Sequence, residues 1–177
     1  MKGLMKAKPA IKKCDPPSNS QMAVQASRAY FADAYRFKSK DPSRQPLEVW
    51  VDHMATTPNW VNKLMFIRNK LVSTLGLKDL GQLNDINQNK NLEDYRVGDK
   101  VGIFTLTFIN QNEIILTDSD QHLDVSVSVF KASNHSDEIT ISTMVHTHNA
   151  LGKVYMLFVK PMHQIIVPAT IKKAEFS

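Results

Sequence analysis

The sequence predicts an α+β domain: a curved antiparallel sheet, built from one strand, two helices and a meander of about four strands, wrapped around a long C-terminal helix. Three observations predict it. Alternating, β-branched segments recur four times between Ile103 and His148. Two helical patterns stand back to back between Pro46 and Gly76. The C-terminal segment places apolar residues at helical spacing over more than twenty positions.

Residues 1–26 combine lysines with Pro9, Pro16, Pro17, Ser18, Asn19 and Ser20. Such a composition buries too little apolar surface to offset its ordering entropy, so it reads as a flexible basic tail before a single domain over 27–177. AYFADAYRF, Ala29 to Phe37, alternates as a first strand with Phe31, Asp33, Tyr35 and Phe37 on one face. DPSRQP breaks it, and Pro46 opens a helix through Leu47, Val49, Trp50, Val51 and Met54. ATTPNW restarts the pattern with Thr57 as N-cap and Pro58 at the first helical position. In this second helix Trp60, Leu64, Ile67, Leu71 and Leu75 form a stripe that Gly76 ends. The Asn-rich stretch from Asp79 to Asp94 reads as a connecting loop.

The meander then follows as IFTLTFI, a turn at Asn110-Gln111-Asn112, EIILTD, HLDVSVSVF and EITISTMVHTH. In the last segment Leu151, Val154, Tyr155, Phe158, Met162, Ile165 and Ile166 mark a long helix, in which Pro161 predicts a kink. Lys160, Pro161, His163 and Gln164 interrupt its apolar run, so no transmembrane segment is expected.

Composition bounds the function class. A chain of 177 residues with 42% hydrophobic content suits one domain with a conventional core. Cys14 is the only cysteine, which excludes an internal disulfide and Cys-rich zinc sites. The N-terminus lacks the apolar core of a signal peptide, and a reducing, cytoplasmic location is expected. The net charge of +5 is unevenly placed: the first twenty residues hold five lysines and one aspartate, while the remainder carries 17 positive and 16 negative charges. The domain itself therefore has no basic excess of the kind nucleic-acid binding needs. Phosphate-loop, dinucleotide-binding, zinc-protease, serine-hydrolase and EF-hand motifs are all missing from the sequence.

FADAYRF, TTPNWVNKLMFIRNKLV, DSDQHLDVSVSV and TMVHTHNALGKVYMLFVKPMHQIIV, spanning Ala29 to about Lys173, resemble an uncharacterised bacterial family. The element order is similar to that of the helix-grip proteins, the START and polyketide-cyclase-like (SRPBCC) superfamily. The resemblance implies a cavity between curved sheet and terminal helix that holds a hydrophobic or amphipathic small molecule. It supplies no reaction, because the superfamily includes carriers, sensors and cyclases.

The two last strands allow a register argument. Leu123, Val125, Val127 and Val129 share a face, as do Ile139, Ile141, Thr143 and Val145, and both sets must lie on the same side. One permitted register sets His122 opposite His146; the next sets His122 opposite His148 and Asp124 opposite His146. Either gathers His122, Asp124, His146 and His148 on the less apolar face, as a wetted outer surface, a ligand-orienting group, a His/Asp acid–base pair or a weak divalent-metal site.

Thr143 and Thr147 would present hydroxyls on the apolar side. Trp60 and Trp50 read as core aromatics or cavity walls, and Arg68 as a surface charge or a clamp for a carboxylate. Tyr155 and His163 lie near the inner side of the last helix. The ligand-binding candidates are thus Trp60, Arg68, Thr143, Thr147, Tyr155 and His163, and the catalytic candidates His122, Asp124 and His146, with no cofactor and no resident metal expected.

Binding of a hydrophobic or amphipathic molecule is the leading expectation. A cyclase, dehydratase or isomerase using a His/Asp pair is the rival, and an interaction protein that forms a homodimer through the second helix and the sheet rim is the third reading.

Overall fold

In the computed structural model the described residues are 10–73, 83, 86 and 90–176, without the side chains of residues 25 and 71–73. Seven strands form one antiparallel sheet: β1 (Lys12–Cys14), β2 (Phe31–Lys38), β3 (Lys100–Val101), β4 (Phe104–Ile109), β5 (Glu113–Ser119), β6 (Leu123–Lys131) and β7 (Glu138–Thr147). Their order is β1-β2-β7-β6-β5-β4-β3, so the meander β4 to β7 closes onto β2. Among the described residues four α-helices accompany it: α1 (Ala23–Ala26), α2 (Pro46–Ala55), α3 (Asn59–Ser73) and α4 (Ala150–Phe176). The result is a curved antiparallel sheet with a long C-terminal helix, a helix-grip-like α+β arrangement.

The β6–β7 register pairs Leu123 with Thr147, Asp124 with His146 and Val127 with Thr143. Of the two registers compatible with the apolar pattern, this is the one that sets His122 opposite His148, and the His148 amide bonds the His122 carbonyl at 2.8 Å. Because side chains alternate, the odd residues of β2, β6 and β7 and the even ones of β5 share the inner face. There Tyr35, Phe37, Leu116, Val127, Val129 and Ile141 pack with Val49 and Trp50 of α2 and Ile171 of α4. At the other end of that face, Phe31, Leu123, Val145 and Met156 make a second cluster.

Of residues 1–26, expected as a flexible basic tail, the described part lies against the sheet. Lys12–Cys14 pairs antiparallel with β2, and the chain then crosses the outer face of the sheet, where Ser20 and Met22 are buried. The Glu113 carboxylate anchors this crossing by accepting from the amides of Gln21 (2.6 Å) and Met22 (3.4 Å) and from the Ser128 hydroxyl (2.7 Å). The anchor is nonlocal, so the segment's own composition carried no sign of it.

Two helices are turned differently from their sequence patterns. On α3 the expected stripe is half outside: Trp60 and Ile67 are exposed, while Val61 and Asn69 are buried. Leu75, Gly76 and most of the Asp79–Asp94 loop lie outside the described residues. Thr57 does not cap α3; its hydroxyl donates back to the carbonyls of His53 (3.2 Å) and Met54 (2.8 Å). On α4 Val154, Phe158, Met162 and Ile165 are exposed, and Gly152, Met156, Thr170, Ile171, Ala174 and Glu175 are buried. A helix apolar nearly all round offers no unique face to periodicity, and tertiary contacts select one. It continues through Pro161 and Pro168.

Those contacts sit at both ends of α4. Near its start a Cβ on Gly152 would stand 2.3 Å from the His122 carbonyl oxygen, so only glycine permits this approach. Near its end Glu175, whose side chain is fully buried, is held by Arg44, by His53 Nε2 (2.9 Å) and by the Lys40 amide (2.7 Å). Burial alone would raise the Glu175 carboxyl, but the hydrogen bonds from His53, Lys40 and Arg44 outweigh it and hold the group at about 2. Lys131, also buried, donates to the carbonyls of Pro42 (2.7 Å) and Arg44 (2.9 Å), which fixes the loop leading into α2.

Candidate functional site

A polar seam separates the two apolar clusters of the inner face. β2 contributes Phe31 to one cluster and Phe37 to the other, with Asp33 between them. On the neighbouring strand Val145 and Ile141 flank Thr143, and Asp33 is paired with Thr143 in the register. On α4 Val159 and Val167 flank His163. The same three-part pattern in strand, strand and helix brings Asp33, Thr143 and His163 together.

The geometry of this seam is unusual for a core. The Asp33 side chain is 1% exposed, and neither carboxylate oxygen has a hydrogen-bond partner. Nδ1 of His163 lies 3.4 Å from Asp33 Oδ2, is itself buried, and makes no hydrogen bond. The imidazole meets Phe31 edge-on, with ring centroids 5.7 Å apart. Tyr35 lies two residues along the same face, where burial, the Asp33 charge and the approach of the Tyr35 hydroxyl to that carboxylate push its phenol up to about 12. Asp118, opposite Val125 on β5, is a second buried carboxyl on this face.

Tyr155, two turns before His163, points toward α3. Its hydroxyl accepts from Arg68 Nε at 2.9 Å, and the Arg68 guanidinium lies 5.4 Å from the ring centroid. Arg68 also donates to Asn69 Oδ1 at 2.8 Å. The expected carboxylate clamp is therefore engaged in joining α3 to α4. Thr147 packs at the start of α4, near Gly152, and Trp60 is 41% exposed on the outer side of α3 instead of forming a cavity wall.

The histidines of the β6–β7 end are on the outer side or at its rim. His122 is fixed by Asn149 through Nδ1 and by Gln121 through Nε2, while its amide bonds Asp120. Asp124 forms a 3.1 Å ion pair with His148 in which both groups are well exposed, an arrangement worth little in water. His146, beside Asp124 in the register, borders an outer-face concavity of about 440 Å³ with Val24, Ser27 and Arg28. A smaller one, about 180 Å³, lies on that face near Asn19 and Glu113. Neither concavity lies beneath the C-terminal helix. Among the described residues no three His, Cys, Asp or Glu side chains converge on a metal-sized point.

Asp33 was the residue that pattern reading passed over. Its signal was present: an acidic residue on the otherwise aromatic face of a strand, where a charge must find a partner or serve a purpose.

A helix laid across the inner face of a curved antiparallel sheet, with a His–Asp pair enclosed between them, defines a helix-grip-like α+β protein. Within that class the chain belongs to the family described as protein of unknown function, DUF2867, whose match covers residues 25–170. That span runs from α1 through most of α4 and includes Asp33, Arg68, Thr143, Tyr155 and His163. No curated protein and no solved structure matches the chain.

Proposed function

We propose that this protein binds a small amphipathic molecule between the inner face of the sheet and α4, with Asp33 and His163 as the polar anchor. The observation that supports it is the buried Asp33 carboxylate, whose oxygens lack hydrogen bonds. Burying a carboxylate without close hydrogen bonds costs free energy even with His163 beside it, and a ligand's hydroxyl, amide or ammonium donor would offset that cost. Thr143 supplies a hydroxyl beside it, and Phe31, Met156 and Val159 offer apolar contact for the body of the molecule. The resemblance to the START and polyketide-cyclase-like superfamily supports the same location, and the lone Cys14 suits a cytoplasmic role.

Native mass spectrometry of the purified chain tests this reading. A releasable organic mass of a few hundred daltons is expected, lost in Asp33→Asn and His163→Gln variants that keep their fold. Identical masses under gentle and denaturing conditions, with no thermal shift of the wild type by amphipathic amines or alcohols, would overturn it.

The same pair also supports a second reading, an enzyme of cyclase, dehydratase or isomerase type. A carboxylate beside an imidazole nitrogen sets the tautomer needed for proton abstraction. In this reading the acid–base role passes from His122, Asp124 and His146, which lie on the outer face or its rim, to Asp33 and His163. Deuterium uptake at a ketone α-carbon in heavy water, abolished in His163→Gln, separates catalysis from simple binding.

A further inference from the structure

The sides of α3 and α4 turned away from the sheet are apolar. On α4 Val154, Leu157, Phe158, Met162 and Ile165 follow the spacing of one helical stripe and are 50, 67, 72, 36 and 58% exposed. On α3 Trp60, Phe66 and Ile67 are 41, 64 and 53% exposed. Apolar surface on this scale marks an interaction site in a stable protein. α4 is long and apolar enough to cross a membrane by length and composition. Its ends, however, are tied into the fold, through Gly152 against His122 and through Glu175 with Arg44 and His53. It therefore lies along the sheet, with the apolar stripe outward.

We propose that α3 and α4 dock this stripe on an anionic phospholipid surface, α4 lying flat with its apolar side chains in the boundary between headgroups and acyl chains. Charge decides the occupant. α3 carries three cations and no acid; α4 carries four lysines and a single acid, Glu175, which is buried in its ion pairs. No carboxylate of either helix reaches the surface, whereas Lys63 and Lys153 are exposed; the Lys160 ammonium turns back over the Phe31 ring, 5.6 Å from its centroid.

A second copy packed about a two-fold axis would set these lysines against one another. Anionic headgroups instead supply an opposite charge to each, and lysine stems reach along an apolar stripe to place their ammonium groups at that level. Trp60 and Phe66, on the exposed side of α3, suit the same boundary.

The test is cosedimentation of the full chain with vesicles of phosphatidylcholine alone or with about 30% phosphatidylserine, at low and high salt. Binding to the anionic vesicles is expected to exceed that to neutral ones by about tenfold and to weaken with salt. Trp60 emission should shift to the blue, a shift absent from Trp60→Phe, while Trp50 stays constant in the core. Leu157→Ser with Phe158→Ser, and separately Lys63→Glu with Lys153→Glu, should each reduce binding about tenfold with the unfolding midpoint unchanged, since all four side chains are exposed. No sedimentation with anionic vesicles, equal binding by the variants, or a solution dimer that the serine variant dissolves in place of vesicle binding would overturn the proposal.

Discussion

Asp33 Oδ2 and His163 Nδ1 face each other 3.4 Å apart across the space between β2 and α4, and neither atom has a hydrogen bond. A buried carboxylate in this state is retained at a cost in stability. Asp33→Asn, which keeps the shape and removes the charge, should raise the unfolding free energy by about 1 kcal/mol while abolishing ligand retention. Denaturant unfolding checks the first effect. A loss of stability of similar size would instead make the pair a structural one.

The Glu175 clamp sets an acid limit on the fold. Its folded carboxyl stands at about 2, against an ordinary 4.5, so its contribution is complete above 4.5 and disappears as pH falls through 2. The shift corresponds to about 3 kcal/mol of stability. Thermal midpoints measured from pH 5 to pH 2 should fall more steeply in the wild type than in Glu175→Gln, which starts lower and lacks this carboxyl's titration.

Gly152 has the opposite kind of constraint, one of space. A methyl group there would meet backbone, the His122 carbonyl at 2.3 Å, and backbone cannot step aside as a flexible side chain can. Gly152→Ala should cost about 2 kcal/mol or more despite alanine's better helix propensity, read from the denaturant midpoint.

The Arg68–Tyr155 contact links the side chains of α3 and α4. Tyr155→Phe keeps the ring under the guanidinium but removes the hydroxyl acceptor, so the global loss should be about 1 kcal/mol or less. Hydrogen exchange should speed up in α3 and remain slow in β2, β6 and β7.

Glu113 secures the N-terminal crossing through two backbone amides and the Ser128 hydroxyl. Glu113→Ala should release residues 17–28 from the outer face, seen as faster proteolytic cleavage there with the sheet still folded.

The sequence by itself determined the order of β2, the helices, the meander and α4, and narrowed the β6–β7 pairing to two registers. Alternation along Leu123–Val129 and Ile139–Val145 is a local property with a period of two, and a slip by one residue would expose every apolar side chain. It also placed Asp33 on the face of Phe31, Tyr35 and Phe37, although only the enclosing helix gives that position its meaning.

Tertiary structure alone decided the rest. It turned Met156, His163 and Ile171 of α4 inward and left Leu157 and Phe158 outside, because an all-apolar helix has no preferred face until Gly152 and Glu175 are docked. It drew residues 10–26 onto the sheet through Glu113, and it joined Asp33 to His163 across 130 positions of chain. Contacts between residues so far apart cannot be read from local periodicity: they depend on which surfaces the folded sheet and helix present to each other.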